Sequence, residues 1–367
     1  MKLAIFGLTI SSSWGNGHAT LWRGLCRALA SQGHRTVFFE RDVTWYAGAR
    51  DCWGIPGGEL VLYREWREVA ARARQAISEA DAAIVTSYCP DALAAAEHIF
   101  ESSTTGVFYD LDTPVTLGRI GRGEGVPYIG ASGLAGFDLV LSFTGGAAIE
   151  ALRERLGATR VAPLYGHVDP DLHRPVAPVE AYRGDLSYLG TYAPDRQDAL
   201  EQLFVVPARA RPAQRFVIGG AQYPYDFPWS ANIYFLRHVS PDNHPAFFAS
   251  SRLTLNITRR DMAAMGWCPS GRLFEAAACG CPLVTDSWDG LDAFFAPGDE
   301  VIVARKTGDV LAALDSSDEE LRAMGSLARE RVLAEHTSER RAEELIRLIS
   351  EPRGVRDMRC HAHSAGP

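Results

Sequence analysis

The sequence has no long apolar run, few cysteines and no excess of basic charge. No segment approaches the run of about 18 apolar residues that a membrane-spanning helix requires. Seven cysteines, an odd number without repeated spacing, do not indicate a disulfide framework and fit a reducing compartment. The net charge of −8 argues against an extended surface for nucleic acid or anionic membrane. We therefore expect a cytoplasmic protein without a nucleic-acid partner or integral membrane association.

The chain does have enough length and hydrophobic content for two domains, with 367 residues of which 47% are hydrophobic. Short apolar strand patterns alternate with helix patterns, which predicts α/β layers built on parallel sheets. Two cycles of strands are predicted, the first at 3–6, 36–40, 82–86, 106–109 and 139–143, the second at 186–190, 215–219, 253–257, 282–285 and 300–303.

Domain boundaries follow from a proline-rich stretch between the two cycles. We predict a first domain at 1–166, a hinge at 167–182, a second domain at 183–350 and a flexible tail at 351–367. The tail contains Cys360, His361 and His363, but three ligands without a fourth make a poor metal site, and no metal site is predicted.

The most informative segment begins with a predicted helix N-terminus suited to an anion. Ser270 supplies a capping hydroxyl, and Gly271 lets a ligand approach backbone N–H groups that have no partner within the helix. The guanidinium of Arg272 adds a positive charge for the same anion. Glu275 lies one helical turn further, where its carboxylate could accept hydrogen bonds from a sugar diol. The sequence CGCP at 279–282 then stops the helix.

These motifs resemble a known family. The segments at 272–276 and 279–284 are similar to the nucleotide-binding half of GT-B glycosyltransferases of the group 1 type, in particular the CgeB-like spore-maturation subfamily. Further similar segments are at 13–18, 40–42, 109–114 and 165–170, so the resemblance covers roughly residues 1–350. It implies an α/β GT-B fold, with two Rossmann-like domains facing across a cleft. It also implies a nucleotide-sugar donor as co-substrate.

The glycine-rich loop after the first strand contains Gly15, Asn16 and Gly17, followed by His18 at a predicted helix start. In GT-B enzymes this loop borders the cleft, and His18 is expected to face it. Another interpretation is a dinucleotide fingerprint in which Glu40 binds a ribose, although the loop is longer than that fingerprint requires. A plain glycine-rich turn, with His18 in solvent, is the third interpretation.

Asp110 and Asp112 lie at the carboxyl end of a predicted strand, the edge where open α/β sheets place ligands. Glycosyl transfer needs a group that removes the acceptor hydroxyl proton, and a carboxylate within hydrogen-bond reach can do so. We predict catalytic roles for Asp112, Asp110 and His18, and prefer Asp112 as the base because it is nearer the strand end. The alternative is that the two aspartates cap the following turn.

Three further positions complete the predicted donor site. Gly190 begins a strand-end loop, and Arg196 near the next helix start suits a diphosphate, unless it pairs with a neighbouring aspartate. His238 resembles the segment whose backbone holds the base. Group 1 transferases usually have a second glutamate eight positions before the one matching Glu275, where this sequence has Trp267. How the donor sugar is held, and with what stereochemical outcome, is therefore open.

The sequence thus predicts a metal-independent glycosyltransferase, a hexosyl- or related transferase, with no cofactor beyond its donor and with a small-molecule or exposed acceptor. Arginines and a helix N-terminus can stabilise the leaving diphosphate without a metal ion. Alternatives are a nucleotide-sugar epimerase or hydrolase of the same fold, an NAD-dependent oxidoreductase, or a non-catalytic sugar-binding protein.

Overall fold

A computed structural model of the protein describes residues 1–351. Its first half contains a sheet of seven parallel strands in the order β3-β2-β1-β4-β5-β6-β7. The strands are β1 (Lys2–Gly7), β2 (Arg35–Arg41), β3 (Glu59–Tyr63), β4 (Ala82–Thr86), β5 (Thr105–Asp110), β6 (Leu139–Ser142) and β7 (Val161–Pro163). The helices are α1 (His18–Ser31), α2 (Thr44–Ala47), α3 (Trp66–Glu79), α4 (Ala92–Phe100), α5 (Thr113–Gly121) and α6 (Ala147–Leu156).

The second half contains six parallel strands in the order β10-β9-β8-β11-β12-β13. They are β8 (Gly184–Leu189), β9 (Phe216–Gly220), β10 (Ile233–Arg237), β11 (Ser251–Asn256), β12 (Leu283–Thr285) and β13 (Ile302–Val303). The helices are α7 (Gln197–Leu200), α8 (Val206–Ala210), α9 (His244–Ala249), α10 (Arg260–Met265), α11 (Gly271–Ala278), α12 (Thr307–Asp315), α13 (Asp318–Glu335) and α14 (Ser338–Ser350). Both sheets thus have the predicted Rossmann-like α/β architecture.

Three strands were not expected from the sequence, and they are β3, β7 and β10. Each lies at the edge of its sheet, where only part of the strand is buried and the apolar pattern is weak. The predicted strand at 139–143, the last of the first cycle, is not the last strand of the first sheet, because β7 pairs with β6 beyond it.

The helix predicted to start near Arg196 is irregular. It consists of α7, a π-helical turn at Glu201–Val205 and α8. Pro207 lies in the first turn of α8, and its missing N–H interrupts the regular i to i−4 ladder, which favours a change of helix type just before it.

The two halves share a hydrophobic core, and the chain passes between them twice. One cluster of buried side chains includes residues of both sheets, such as Ile5 from β1 and Leu283 from β12. The last helix, α14, packs against α1 of the first half. His167 Nδ1 and Ser338 Oγ are 2.9 Å apart where the chain crosses back. The predicted tail after Glu351, with Cys360, His361 and His363, lies outside the described residues.

Candidate active site

A cavity of about 450 Å³ lies between the two sheets, where the carboxyl ends of β1, β5, β8 and β11 face one another. Ligands of open α/β sheets bind at this edge, at the point where the strand order reverses. Most of the predicted site residues line it, and they are Gly15, Asn16, Gly17, His18, Asp112, Gly190, Arg196, Ser270, Gly271, Arg272 and Glu275. His238 borders a smaller adjoining cavity that shares the glycine-rich loop and Arg272.

The loop after β1 is held in place by a buried carboxylate. Glu40, at the end of β2, accepts hydrogen bonds from Thr9 Oγ1 at 2.9 Å, Ile10 N at 2.8 Å and Ser11 N at 2.9 Å. Its side chain is fully buried below the loop. Because its oxygens are used by the protein's own backbone, Glu40 fixes the loop that borders the cavity. This arrangement counts against the interpretation in which Glu40 binds the ribose of a dinucleotide.

His18 begins α1 and lies beside Asp112 on the cavity wall. The distance between His18 Nε2 and Asp112 Oδ2 is 4.0 Å, and the Tyr88 hydroxyl donates a hydrogen bond of 3.0 Å to the same oxygen. Burial lowers the pKa of His18 below its ordinary value of 6.5, Asp112 opposes this shift, and Arg259 adds to it. His18 is therefore neutral at pH 7, in the form that can accept a proton.

The two predicted aspartates have different surroundings, because β5 ends at Asp110 and Asp112 lies beyond the strand. Asp112 lines the cavity, whereas Asp110 is fully buried beneath it. Asp110 Oδ1 accepts hydrogen bonds of 3.1 Å from Asp112 N and from Thr116 Oγ1. Burial raises the pKa of Asp110 to about 6. Asp110 thus supports the turn that carries Asp112, and it does not reach the cavity.

Arg259 connects the two walls of the cavity. It follows β11 in the second half, and its Nη1 lies 3.8 Å from Asp112 Oδ2 in the first half. Its Nε donates a hydrogen bond of 2.9 Å to Asp195 Oδ2. Tyr88 and Arg259 both line the cavity, and Tyr88 was not predicted from the sequence. Tyr88 follows β4, so the strand-end rule that selected Asp112 could have found it.

The helix N-terminus at Ser270 is formed as predicted. The Ser270 hydroxyl accepts a hydrogen bond from Arg272 N at 3.3 Å, which caps α11. At the other end, Gly280 has a φ of +73°, and β12 begins at Leu283 after Pro282. The N-terminus of α11 therefore borders the cavity at Ser270, Gly271 and Arg272, a favourable place for an anion.

Glu275 lies deeper in the cavity wall, surrounded by cations and imidazoles. It contacts the guanidinium of Arg272, and its Oε2 lies 3.3 Å from His244 Nδ1 and 3.8 Å from His173 Nε2. Burial alone would raise the pKa of Glu275, but the positive charge of Arg272 holds it well below its ordinary value. Glu275 is thus a charged carboxylate on the cavity lining, available to accept hydrogen bonds.

Arg196 projects towards the cavity from the loop after β8, where its Nη1 donates to the carbonyl of Thr191 at 3.3 Å. The aspartates that it was expected to pair with have other partners, since Asp195 binds Arg259 and Asp198 binds Arg260. The Nε of Arg196 is buried without a hydrogen-bond partner among the described residues. These contacts favour a role in anion binding over a surface ion pair.

Trp267 occupies the position where the group 1 pattern has a glutamate. Its backbone N–H donates a hydrogen bond of 2.6 Å to the backbone carbonyl of Asp289, and its backbone carbonyl accepts one of 2.9 Å from Gly145 N. The indole ring lies over Gly146 and Gly290, so close that an added Cβ on either glycine would be 2.5 Å from it. Trp267 therefore joins the two halves beside the cavity through packing and backbone hydrogen bonds.

Comparison with known proteins places this geometry in a structural class. Residues 196–347 match the family model described as glycosyl transferase-like. Sucrose-phosphate synthase from Thermosynechococcus elongatus aligns with a TM-score of 0.68 and 14% identity, covering 95% of this chain and 98% of that one. The chain has the GT-B fold. No curated protein sequence matches it.

Two other solved structures with this fold were determined with sugar nucleotides. HepE from Anabaena, in complex with UDP-glucose, aligns with a TM-score of 0.66 and 12% identity over 95% of this chain and 99% of that one. The T4 phage enzyme BGT, in complex with its UDP-glucose substrate, aligns with a TM-score of 0.63 and 12% identity over 95% and 100%. Separately, no helix within residues 1–351 is long and apolar enough to cross a membrane.

Proposed function

We propose that the protein is a glycosyltransferase that transfers a sugar from a nucleoside-diphosphate sugar to an acceptor hydroxyl. The observation that carries this proposal is the composition of the cavity. One wall offers the α11 N-terminus, Arg196 and Arg272 for a diphosphate, and the other offers His18 and Asp112 for an acceptor. The glycosyl transferase-like match at 196–347 supports the transferase class.

The donor is proposed to bind with its diphosphate at the N-terminus of α11. Arg272 and Arg196 supply the charge that stabilises the leaving diphosphate, and the helix N–H groups add fixed dipoles. Glu275 accepts hydrogen bonds from the ribose hydroxyls, and the backbone near His238 borders the base. We propose UDP as the nucleotide, because HepE and the T4 enzyme are structures of this fold that contain UDP-glucose.

We propose that His18, rather than Asp112, takes the acceptor proton. Tyr88 and Arg259 already lie against Asp112 Oδ2, whereas His18 is neutral and faces the cavity. When His18 Nε2 receives the proton, the carboxylate of Asp112 at 4.0 Å stabilises the imidazolium that forms. No step in this scheme uses a metal ion, since Arg196, Arg272 and the helix N-terminus neutralise the diphosphate. The protein as proposed has no cofactor other than its donor.

The CgeB-like subfamily, a small-molecule or exposed acceptor and a cytoplasmic location remain predictions from the sequence. The domain limits, 1–166 and 183–350 around a hinge at 167–182, likewise remain predictions from the sequence.

Product analysis with UDP-glucose and a panel of sugar and phenolic acceptors tests the proposal. A transferase releases UDP faster when its acceptor is present and forms a glycosylated product. An epimerase instead yields a new sugar nucleotide without an acceptor, and a hydrolase yields free sugar. If saturating donor gives no UDP release with any acceptor while binding persists, the sugar-binding interpretation replaces the transferase.

A further inference from the structure

Three side-chain atoms that can act as metal ligands converge below the cavity, on His173, His244 and Glu275. All three residues are buried, and their possible ligand atoms lie within 4.8 Å of one another. His173 lies in the crossing between the two halves, His244 begins α9 and Glu275 lies in α11, so three separate segments build the cluster. Arg272 and Glu275 belong to the proposed donor site, but His173 does not line the cavity described above.

The hydrogen bonds of His244 determine which of its ring nitrogens faces the cluster as an acceptor. Its Nε2 lies 3.2 Å from the carbonyl of Val239, which can only accept, so Nε2 carries the proton. Nδ1 then has its electron pair directed at Glu275 Oε2, 3.3 Å away, and at Arg272 Nη1, also 3.3 Å away. A histidine whose far N–H binds a backbone carbonyl is the usual arrangement at metal sites.

His173 contributes a second imidazole to the cluster. Its side chain has no exposed surface, and neither ring nitrogen has a hydrogen-bond partner among the described residues. Its Nε2 points at Glu275 Oε2 from 3.8 Å. A buried imidazole without partners costs free energy, and a ligand that satisfies it recovers that cost.

The electron pair of His244 Nδ1 and the carboxylate oxygen of Glu275 face one another, and they repel unless a cation lies between them. In the structure the cation is the guanidinium of Arg272, which contacts Glu275 and His244. The Arg272 side chain is 27% exposed and lines the cavity, so it can turn outwards. Two neutral imidazoles and one carboxylate are a common zinc ligand set, in which a fourth position is left for water.

We propose that His173, His244 and Glu275 form a binding site for a divalent transition-metal cation of the zinc type, which takes the place of the Arg272 guanidinium. The ligand separations of 3.3 and 3.8 Å around Glu275 Oε2 approach the spacing of a tetrahedral zinc site with bonds of about 2.0–2.2 Å. The metal has no part in sugar transfer. It inhibits, because it displaces Arg272 and takes an oxygen of Glu275 that the proposed function assigns to the donor.

The site is tested by titrating the metal-free full chain with zinc chloride in competition with a chromophoric chelator. We expect His173→Ala to weaken zinc binding by about 100-fold or more, because losing a ligand should exceed the 10- to 100-fold cost of losing an outer-shell partner. His98→Ala is the matched control, since His98 is another histidine whose ring nitrogens are buried without a partner. Equal zinc affinity in the wild type, His173→Ala and His98→Ala would overturn the proposal.

Arg272→Ala should change zinc affinity in the opposite direction to His173→Ala. Removing the competing guanidinium should tighten zinc binding by about 10-fold or more, since a hydrogen bond to a charged group contributes about 1.5–3 kcal/mol. The same variant should weaken nucleoside-diphosphate binding if the proposed function holds. The two proposals can therefore fail separately: unchanged or weaker zinc binding contradicts the metal site, and unchanged nucleotide binding contradicts the donor site.

Cobalt(II), used as a spectroscopic probe, distinguishes metal binding at the three-residue cluster from metal binding at cysteines. A site of two imidazoles and a carboxylate gives visible d–d absorption without a thiolate charge-transfer band, and His173→Ala should abolish that absorption. A thiolate band that persists in His173→Ala would assign the metal to cysteine and overturn the proposal. Zinc inhibition of UDP release should likewise disappear in His173→Ala, at the same total zinc and nucleotide concentrations.

Discussion

Arg259 Nη1 of the second half lies 3.8 Å from Asp112 Oδ2 of the first half, so the charge balance beside His18 is set by both halves of the molecule. Asp112 raises the pKa of His18, and Arg259 lowers it. The pKa of the proposed base therefore depends on one charged residue from each half.

The first prediction concerns the acid limb of the pH dependence of kcat/KM. A base must be unprotonated, so activity falls when pH drops through the pKa of His18, which lies below its ordinary value of 6.5. Arg259→Ala removes a positive charge and should move the limb to higher pH, while Asp112→Asn should move it to lower pH. Shifts of the same sign in both variants would contradict the assignment.

His18 itself should be required for transfer but not for donor binding. We expect His18→Asn to lower kcat by about 10²- to 10⁴-fold, the usual contribution of general base catalysis. The Kd for UDP measured by calorimetry should stay within a factor of about 3, because His18 is on the acceptor side of the cavity in this proposal. A change of that size is smaller than the 1.4 kcal/mol of a tenfold change in Kd. Loss of UDP binding in parallel with kcat would instead make His18 a donor-binding residue.

Glu275 should matter for binding of the nucleotide. Glu275→Gln removes the charge that accepts hydrogen bonds, so UDP affinity should fall by about 10-fold or more, in line with about 1.5–3 kcal/mol for such bonds. Glu300→Gln is the matched control, because Glu300 is also a largely buried glutamate paired with an arginine, Arg331, outside the cavity lining. Equal UDP affinities for the two variants would remove Glu275 from the donor site.

Asp110 should reduce the stability of the folded protein above pH 6. Its pKa is about 6 in the folded state against an ordinary value of 3.8, so the unfolded chain releases this proton first as pH rises. The penalty therefore grows between about pH 4 and about pH 6 and then stays constant. Asp110→Asn carries no such penalty, and its Tm relative to the wild type should rise across this window. A Tm difference independent of pH would show that the buried carboxyl is not titrating as described.

A close backbone approach next to Gly190 allows a test of the donor loop. A Cβ on Gly220 would lie 2.0 Å from the carbonyl oxygen of Gly190, whereas a Cβ on Gly308 would come no nearer than 3.9 Å to Lys306. Gly220→Ala should therefore lower stability by about 1–3 kcal/mol and weaken UDP binding, while Gly308→Ala should do neither. Denaturant unfolding and calorimetry of both variants provide the measurements, and equal stability would contradict the packing described.

The sequence was sufficient to predict the α/β class and the central strands, because buried parallel strands are short continuous apolar runs bounded by turns. The edge strands β3, β7 and β10 were missed, since partial burial leaves little apolar pattern. The helix start at Ser270 and its end at Gly280 were predictable from local chemistry, because capping residues act within a few positions of the chain.

The contacts between segments could not be predicted in the same way. His173, His244 and Glu275 are far apart in sequence, and only the packing of α9 against α11 and the course of the interdomain crossing bring them together. Likewise, nothing near Arg259 in the sequence indicates that its partner is Asp112. Whether Asp110 or Asp112 faces the cavity depended on where β5 ends, and strand ends are among the least certain features of a sequence pattern.

The most direct test of the donor site is thermal unfolding of the protein with UDP, GDP, dTDP, ADP, CMP and NAD⁺ added separately. A ligand at about 100 times its Kd stabilises the folded state by about 2.7 kcal/mol, which is readily detected as a shift in Tm. We predict a selective increase with UDP. An increase with NAD⁺ alone, or no increase with any nucleoside diphosphate, would contradict the proposal that this cavity binds a sugar nucleotide.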